Sequence, residues 1–307
     1  MKKFLIIGGG GFIGFHLSET LLKLGHSVVI IDDFSTSINF GKINSKIKVY
    51  KTDIDNLNRV KDIFKKEKPD FVYHLAGAIN LRRQITDSLF AKDLNILART
   101  KIILDACLEN NVKKIIFISS GGAIYENAKI VPTAEDYSVH PVSLYGLANL
   151  MIERYIELYH KENNLNFIIL RLSNVYGPRQ WKSGIIPSII IKILKKEKPI
   201  IYGDGIQTRD FIYIDDAVNA LILAAEIEKR GIYNVGSGKE IRINEIFRIT
   251  KNFLNTKIVP IHKNLKEQET KRSLLGIKKI KKDFGWQPKV GIKEGLDKTI
   301  EWFQKHE

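Results

Sequence analysis

The hydrophobic positions of this chain fall into short solid runs separated by amphipathic stretches. FLII at 4–7, SVVII at 27–31, KVY at 48–50, FVYHL at 71–75, KIIFIS at 114–119 and FIILRL at 167–172 carry apolar residues at successive positions. Between them, helical periodicity predicts helices from Gly14 to Leu24, around Val60 to Lys66, near Leu94 to Glu109, and onward from Tyr145. Strand and helix in turn, with strands apolar on both faces, predict an α/β fold with a doubly wound parallel sheet covered on both sides.

The rhythm changes after Arg171. NVYGPRQ, YGDGIQTRD and NVGSG read as loops, separating helices predicted at Ile185 to Leu194 and Asp216 to Glu226, and a helix is expected from Gly291 to Phe303. This pattern predicts a nucleotide-binding domain over 1–170 and a smaller C-terminal α/β substrate-binding region over 171–307. Part of the latter, near 210–235, is expected to return to the first domain.

The chemistry begins at GGGGFIG, which follows a predicted strand and opens a predicted helix. In that setting one glycine permits a sharp turn, another lets backbone N–H groups approach a pyrophosphate, and Gly14 lets helix and strand pack closely. Gly8, Gly11 and Gly14 are spaced by three. Asp32 lies eighteen residues after Gly14, where a carboxylate accepts hydrogen bonds from an adenosine ribose and repels a 2'-phosphate. The combination predicts a Rossmann-type domain and favours NAD over NADP.

Composition removes other classes. A hydrophobic content of 44% supplies a core, and Cys107, the only cysteine, gives neither a disulfide framework nor a cysteine metal site; no metal is expected. The apolar run of MKKFLIIGGG is too short for an export signal and nothing else is long enough to span a bilayer, so a cytoplasmic protein without membrane contact is expected. The net charge of +15 comes from scattered lysines. They gather at predicted helix ends without interleaved aromatics, so no nucleic acid is expected, although anionic small molecules would be attracted.

With these motifs in view, the chain resembles the extended short-chain dehydrogenases, specifically the NAD-dependent nucleotide-sugar epimerases and dehydratases typified by UDP-glucose 4-epimerase. The resemblance continues through TDI at 52–54, HLAG at 74–77, LRLSNVYGPRQ, IYGDGIQTRDFIYIDD, YNVGSG and FGWQP. It implies cofactor contacts at Gly8, Gly11, Phe12, Ile13, Gly14, Asp32, Asp53, Ile54, Leu75, Ala76, Gly77, Tyr145 and Asn149, with Asp53 at the adenine. It implies a UDP- or dTDP-hexose as partner, held by Asn174, Arg209 and Arg272, with arginine on the diphosphate. A homodimer paired through helices is common in such folds.

The resemblance also implies that Tyr145 is the acid/base, supported by a lysine four residues on and by a nearby Ser or Thr hydroxyl. Residues four apart share one helix face, but the lysine position holds Asn149 and the hydroxyl position holds Gly121. Ser120, or Ser119 before it, would have to substitute. A free tyrosine titrates near 10, so without a cation about one in a thousand is ionised at neutral pH, equivalent to roughly 4 kcal/mol of missing activation. The expectation is therefore a 4-epimerase with Tyr145, Ser120 and Asn149 at its centre, or alternatively a catalytically impaired relative or a 4-keto-sugar reductase. Gly122 and Ala123, where the family's dehydratases carry acids, count against dehydration.

Five other residues carry expectations. Arg82 and Arg83 border the sugar pocket by resemblance, His74 orders backbone, and Asp215 and Asp216 serve as a helix cap and a first-turn acid.

Overall fold

The computed structural model describes residues 1–35, 42–76, 87–182, 184–264 and 270–307, with side chains in the first long internal helix described from residue 96. The first half contains β1 (Lys3–Ile7), α1 (Phe12–Lys23), β2 (Ser27–Asp32), β3 (Lys48–Lys51), α2 (Leu57–Glu67), β4 (Phe71–His74), α3 (Asp87–Glu109), β5 (Lys114–Ser120), α4 (Gly121–Ile124), α5 (Leu144–Asn163) and β6 (Phe167–Leu172). The second contains β7 (Asn174–Tyr176), α6 (Ile185–Leu194), β8 (Ile200–Tyr202), β9 (Thr208–Tyr213), α7 (Ile214–Glu226), β10 (Gly231–Val235), β11 (Glu240–Arg242), α8 (Ile243–Phe253), β12 (Ile261–Lys263), α9 (Lys278–Phe284) and α10 (Ile292–His306).

Seven strands form the main sheet in the order β10-β6-β5-β4-β1-β2-β3. Neighbours from β3 through β5 run parallel, so the predicted α/β class is the one observed. Strand order reverses between β1 and β4, the switch point outside which open α/β sheets bind ligands. The strands suit this burial: Phe4 to Ile7, Val28 to Ile31 and Phe167 to Leu172 are all buried. On one face Leu5, Ile7, Val29, Val72, Ile115 and Phe117 pack with Phe64, Ile103 and Ile152 from the covering helices. Cys107 lies in that core as a small apolar residue, its thiol pushed up by burial.

By contact density the chain forms two compact units, one of Met1–Ile124, Val139–Arg171 and Val218–Tyr233, the other of Tyr125–Ser138, Leu172–Ala217 and Asn234–Glu307. In the first, Lys114 donates through Nζ to the carbonyls of Ala224 (3.0 Å) and Ile227 at the end of α7. A cation there satisfies carbonyls that have no partner within the helix. In the second, β11, β9 and β7 make a three-stranded sheet. The TRD of YGDGIQTRD is thus strand rather than loop. Gly203 and Gly205, at φ of 70° and 76°, make the preceding turn, and Thr208 to Asp210 then pair antiparallel with Arg242 to Glu240. Among the described residues no helix is long and apolar enough to cross a membrane.

Candidate active site

The glycine turn joins β1 to α1 under tight steric limits. Gly8 has φ of 83°, and a Cβ on it would lie 2.8 Å from the Ala76 nitrogen, where the chain leaves β4. A Cβ on Gly14 would lie 2.5 Å from the Gly8 carbonyl oxygen, so only glycine lets α1 start this close to β1. The turn itself is closed by Gly11 N–H donating to Gly8 O at 3.2 Å. Gly11 is also the N-cap residue just before α1, and no side chain caps the helix there. The first-turn N–H groups, which include those of Phe12 and Ile13, therefore remain suited to an anion.

Asp32 ends β2 beside this turn. Its Oδ2 accepts from Gly10 N–H (2.8 Å) and its Oδ1 from Phe34 N–H (2.7 Å). Burial raises its pKa, the two backbone bonds oppose that, and neighbouring Asp33 raises it further. The carboxylate is thereby locked to the phosphate turn. Asp53 accepts from Asp55 N–H at 2.9 Å, and Asp55 is gripped by Nε and Nη2 of Arg99 on α3. Ile54 packs against the core. Leu75 N–H donates to Ile7 O at 2.9 Å, placing Leu75 and Ala76 against the glycines. Gly77, Arg82 and Arg83 lie outside the described residues.

Tyr145 stands in the first turn of α5. Ser143 caps that helix, its Oγ accepting from Gly146 N–H at 3.1 Å. A Cβ on Gly146 would lie 2.3 Å from Ala123 O, so glycine allows α5 to press onto α4 and brings the end of β5 near the phenol. The Ser120 hydroxyl, at the end of β5, and the Asn149 side chain, one turn along α5, are the polar groups that act on the phenol. Asn149 is buried, with Nδ2 donating 2.8 Å to Tyr145 O. Burial is the largest influence on the phenol and raises its pKa, while Ser120 and Asn149 pull it down less strongly. Ser119 is buried, and its hydroxyl has no hydrogen-bond partner among the described residues.

Two expectations need correction. His74 orders no backbone among the described residues: both its ring nitrogens are buried without hydrogen-bond partners, its ring lies 5.4 Å from that of Phe117, and burial lowers its pKa to about 4. Asp215 is not a helix cap, because α7 begins at Ile214 and Asp215 lies within its first turn. Asp216 is the first-turn acid expected, and its carboxylate accepts from Lys289 N–H (3.0 Å) and Val290 N–H (2.9 Å), holding the segment after FGWQP.

In the second unit, Asn174 begins β7 and donates to Asp210 O at 3.1 Å. Arg209 on β9 donates from Nη1 to Thr208 O at 2.8 Å. Arg272 is exposed, and Glu240 takes its Nε (3.0 Å) and Nη2 (2.6 Å); Glu240 also accepts from Thr208 Oγ1 at 2.6 Å. Sequence reasoning missed Asp210, Glu240 and Ser237. Asp210 and Ser237 lie in the motifs IYGDGIQTRDFIYIDD and YNVGSG, which drew attention to other residues, and Glu240 lies in none of the quoted motifs.

A family model for the NAD dependent epimerase/dehydratase family matches residues 4–236. The chain belongs to that family. It is 37% identical, over 98% of each chain, to a putative UDP-glucose 4-epimerase of Methanocaldococcus jannaschii. Its fold is similar to that of the Thermotoga maritima UDP-glucose 4-epimerase with UDP-glucose (TM-score 0.94, 34% identity, 99% of each chain). It is also similar to that of the Thermus thermophilus UDP-glucose 4-epimerase complex with NAD (TM-score 0.90, 29% identity, 98% of this chain and 99% of the other). NAD is the cofactor of this family member, and the residues fit it. Gly8 and Gly14, where a Cβ would meet Ala76 N and Gly8 O, hold the turn close to its neighbours, the uncapped N–H groups at the start of α1 suit a pyrophosphate, and Asp32 offers the carboxylate that a free 2'-hydroxyl requires.

Proposed function

We propose that this chain is an NAD-dependent UDP-hexose 4-epimerase. The close approach of α5, which carries Tyr145 and Asn149, to the end of β5, which carries Ser120, supports the reading, as do the named activities of similar proteins. In the proposed reaction Tyr145 takes the proton of the sugar 4-hydroxyl as the C4–H bond breaks, leaving a 4-keto sugar. Bound NAD supplies the hydride acceptor and donor. Ser120 donates to the reacting oxygen, Asn149 holds the phenol and the nicotinamide ribose, and Tyr145 returns its proton once hydride has reached the opposite face of C4. Asn174, Arg209 and Arg272 hold the nucleotide diphosphate, for which planar, permanently charged guanidinium groups are suited.

Purified protein should interconvert UDP-glucose and UDP-galactose, or the corresponding N-acetyl pair, and Tyr145→Phe should lower turnover by at least a thousandfold while leaving NAD affinity within about threefold. One observation favours a second reading, a relative that binds without turning over: burial lifts the phenol pKa, and the residue four positions on is a neutral amide. In that case UDP-sugars raise the melting temperature but give no product.

A further inference from the structure

We propose that Asp210 is the positioning residue that sets the nucleotide-diphosphate contacts of the second unit, an inference resting on the substrate class proposed above. Asp210 is fully buried in β9. Its carboxylate accepts from Ser237 N–H (2.7 Å), Ser237 Oγ–H (2.7 Å), Gly238 N–H (3.4 Å) and Leu275 N–H (3.3 Å). Its carbonyl accepts from Asn174 Nδ2 at 3.1 Å. One residue therefore joins β7, which carries Asn174, to the 236–238 turn and to the segment that carries Arg272.

The third candidate contact, Arg209, is its neighbour in β9. Successive side chains of a strand point to opposite faces, so fixing the Asp210 carboxylate inward fixes the direction in which Arg209 leaves the strand. Donors arriving from two separate segments make the arrangement specific. Bonds from N–H to an ionised carboxylate are among the stronger and more directional ones in proteins. The 236–238 turn is also fitted to it sterically, because a Cβ on Gly236 would lie 2.4 Å from Asp210 Oδ2. A carboxylate buried against desolvation, tied to each segment that bears a candidate substrate residue, does more than fill space. It sets the spacing of Asn174, Arg209 and Arg272.

The test measures UDP and NAD affinity by calorimetry for the full chain and three variants. Asp210→Asn keeps the shape but presents an amide to some of the N–H donors. Gly236→Ala keeps the carboxylate and displaces it. Ser237→Ala removes a single hydroxyl donor. The expected result is UDP affinity weakened at least tenfold by the first two and about threefold by the third, with NAD affinity unchanged within twofold. A residue that merely stabilised the fold would lower the melting temperature and leave UDP affinity intact in protein that still binds NAD. That outcome overturns the proposal. If Asp210→Asn and Gly236→Ala fail to fold, Ser237→Ala decides: an unchanged UDP affinity overturns the proposal and a threefold loss upholds it. An unaltered chain that binds NAD but not UDP would overturn the substrate class itself, and this inference with it.

Discussion

At the scale of single residues, Tyr145 and Asn149 decide how the candidate site would respond to pH. Burial raises the phenol above its ordinary pKa, so at any given pH the basic form is scarcer than in free tyrosine. Under the proposed mechanism, turnover should therefore climb with pH through and beyond neutrality. An ammonium four residues on would favour the phenolate, and each unit by which it lowers the pKa should multiply that form about tenfold. Asn149→Lys is accordingly expected to raise kcat at pH 7 by roughly tenfold or more and to move the rising limb to lower pH. A pH–rate profile identical to that of the unaltered enzyme would show that Tyr145 is not the base. The spacing of these two residues was legible because a helix repeats every 3.6 residues. How Ser120 reaches the phenol was not, since that depends on Gly146 allowing α5 to approach Ala123.

At the scale of elements, the helix carrying Tyr145 is tied to the sheet by charge. Glu153, two turns after Tyr145 on α5, is fully buried, and Arg171 near the end of β6 meets it through Nε at 3.0 and 3.2 Å and through Nη2 at 2.6 Å. Removing one partner strands a buried charge, which typically costs 3–5 kcal/mol, whereas replacing both by uncharged groups of similar size is often close to neutral. Glu153→Gln is thus expected to lower unfolding stability by about 3 kcal/mol in urea titration, and Glu153→Gln with Arg171→Met to recover most of it. A single variant within 1 kcal/mol of the unaltered chain would mean that the pair does not anchor α5. The strands around it were readable because they are apolar on both faces. β9 was hidden, since Thr208, Arg209 and Asp210 look like loop residues until their antiparallel partners Glu240 to Arg242, about thirty residues away, are in place. Asp210 was hidden for the same reason: its partners come from residues 27 to 65 positions distant.

At the scale of the whole molecule, the parallel sheet and the place of the phosphate turn follow from alternation and the glycine motif, while strand order and the cost of the buried groups become visible only in three dimensions. That cost predicts how the fold fails in acid. His74 is buried with its pKa lowered to about 4, against about 6.5 in an unfolded chain. A depressed folded-state pKa gives stability that is present above 6.5 and lost as pH falls towards 4, because the unfolded chain binds the proton first. Between pH 7 and pH 4.5 this loss amounts to about 2 kcal/mol by linkage. Asp70, held below its ordinary pKa by Lys113 and by Lys3 N–H, acts in the same direction at still lower pH. A second contribution is global: from +15 at pH 7, protonating carboxylates makes the chain more positive, and self-repulsion opposes the compact state. Salt screens this repulsion and leaves the protonation of a buried ring almost untouched. In urea unfolding at pH 7 and pH 4.5, added salt should recover part of the acid loss, and His74→Leu should shrink the remainder by about 2 kcal/mol. If His74→Leu loses as much stability as the unaltered chain over this range at equal salt, the buried imidazole is not what titrates, and global charge alone accounts for the acid sensitivity.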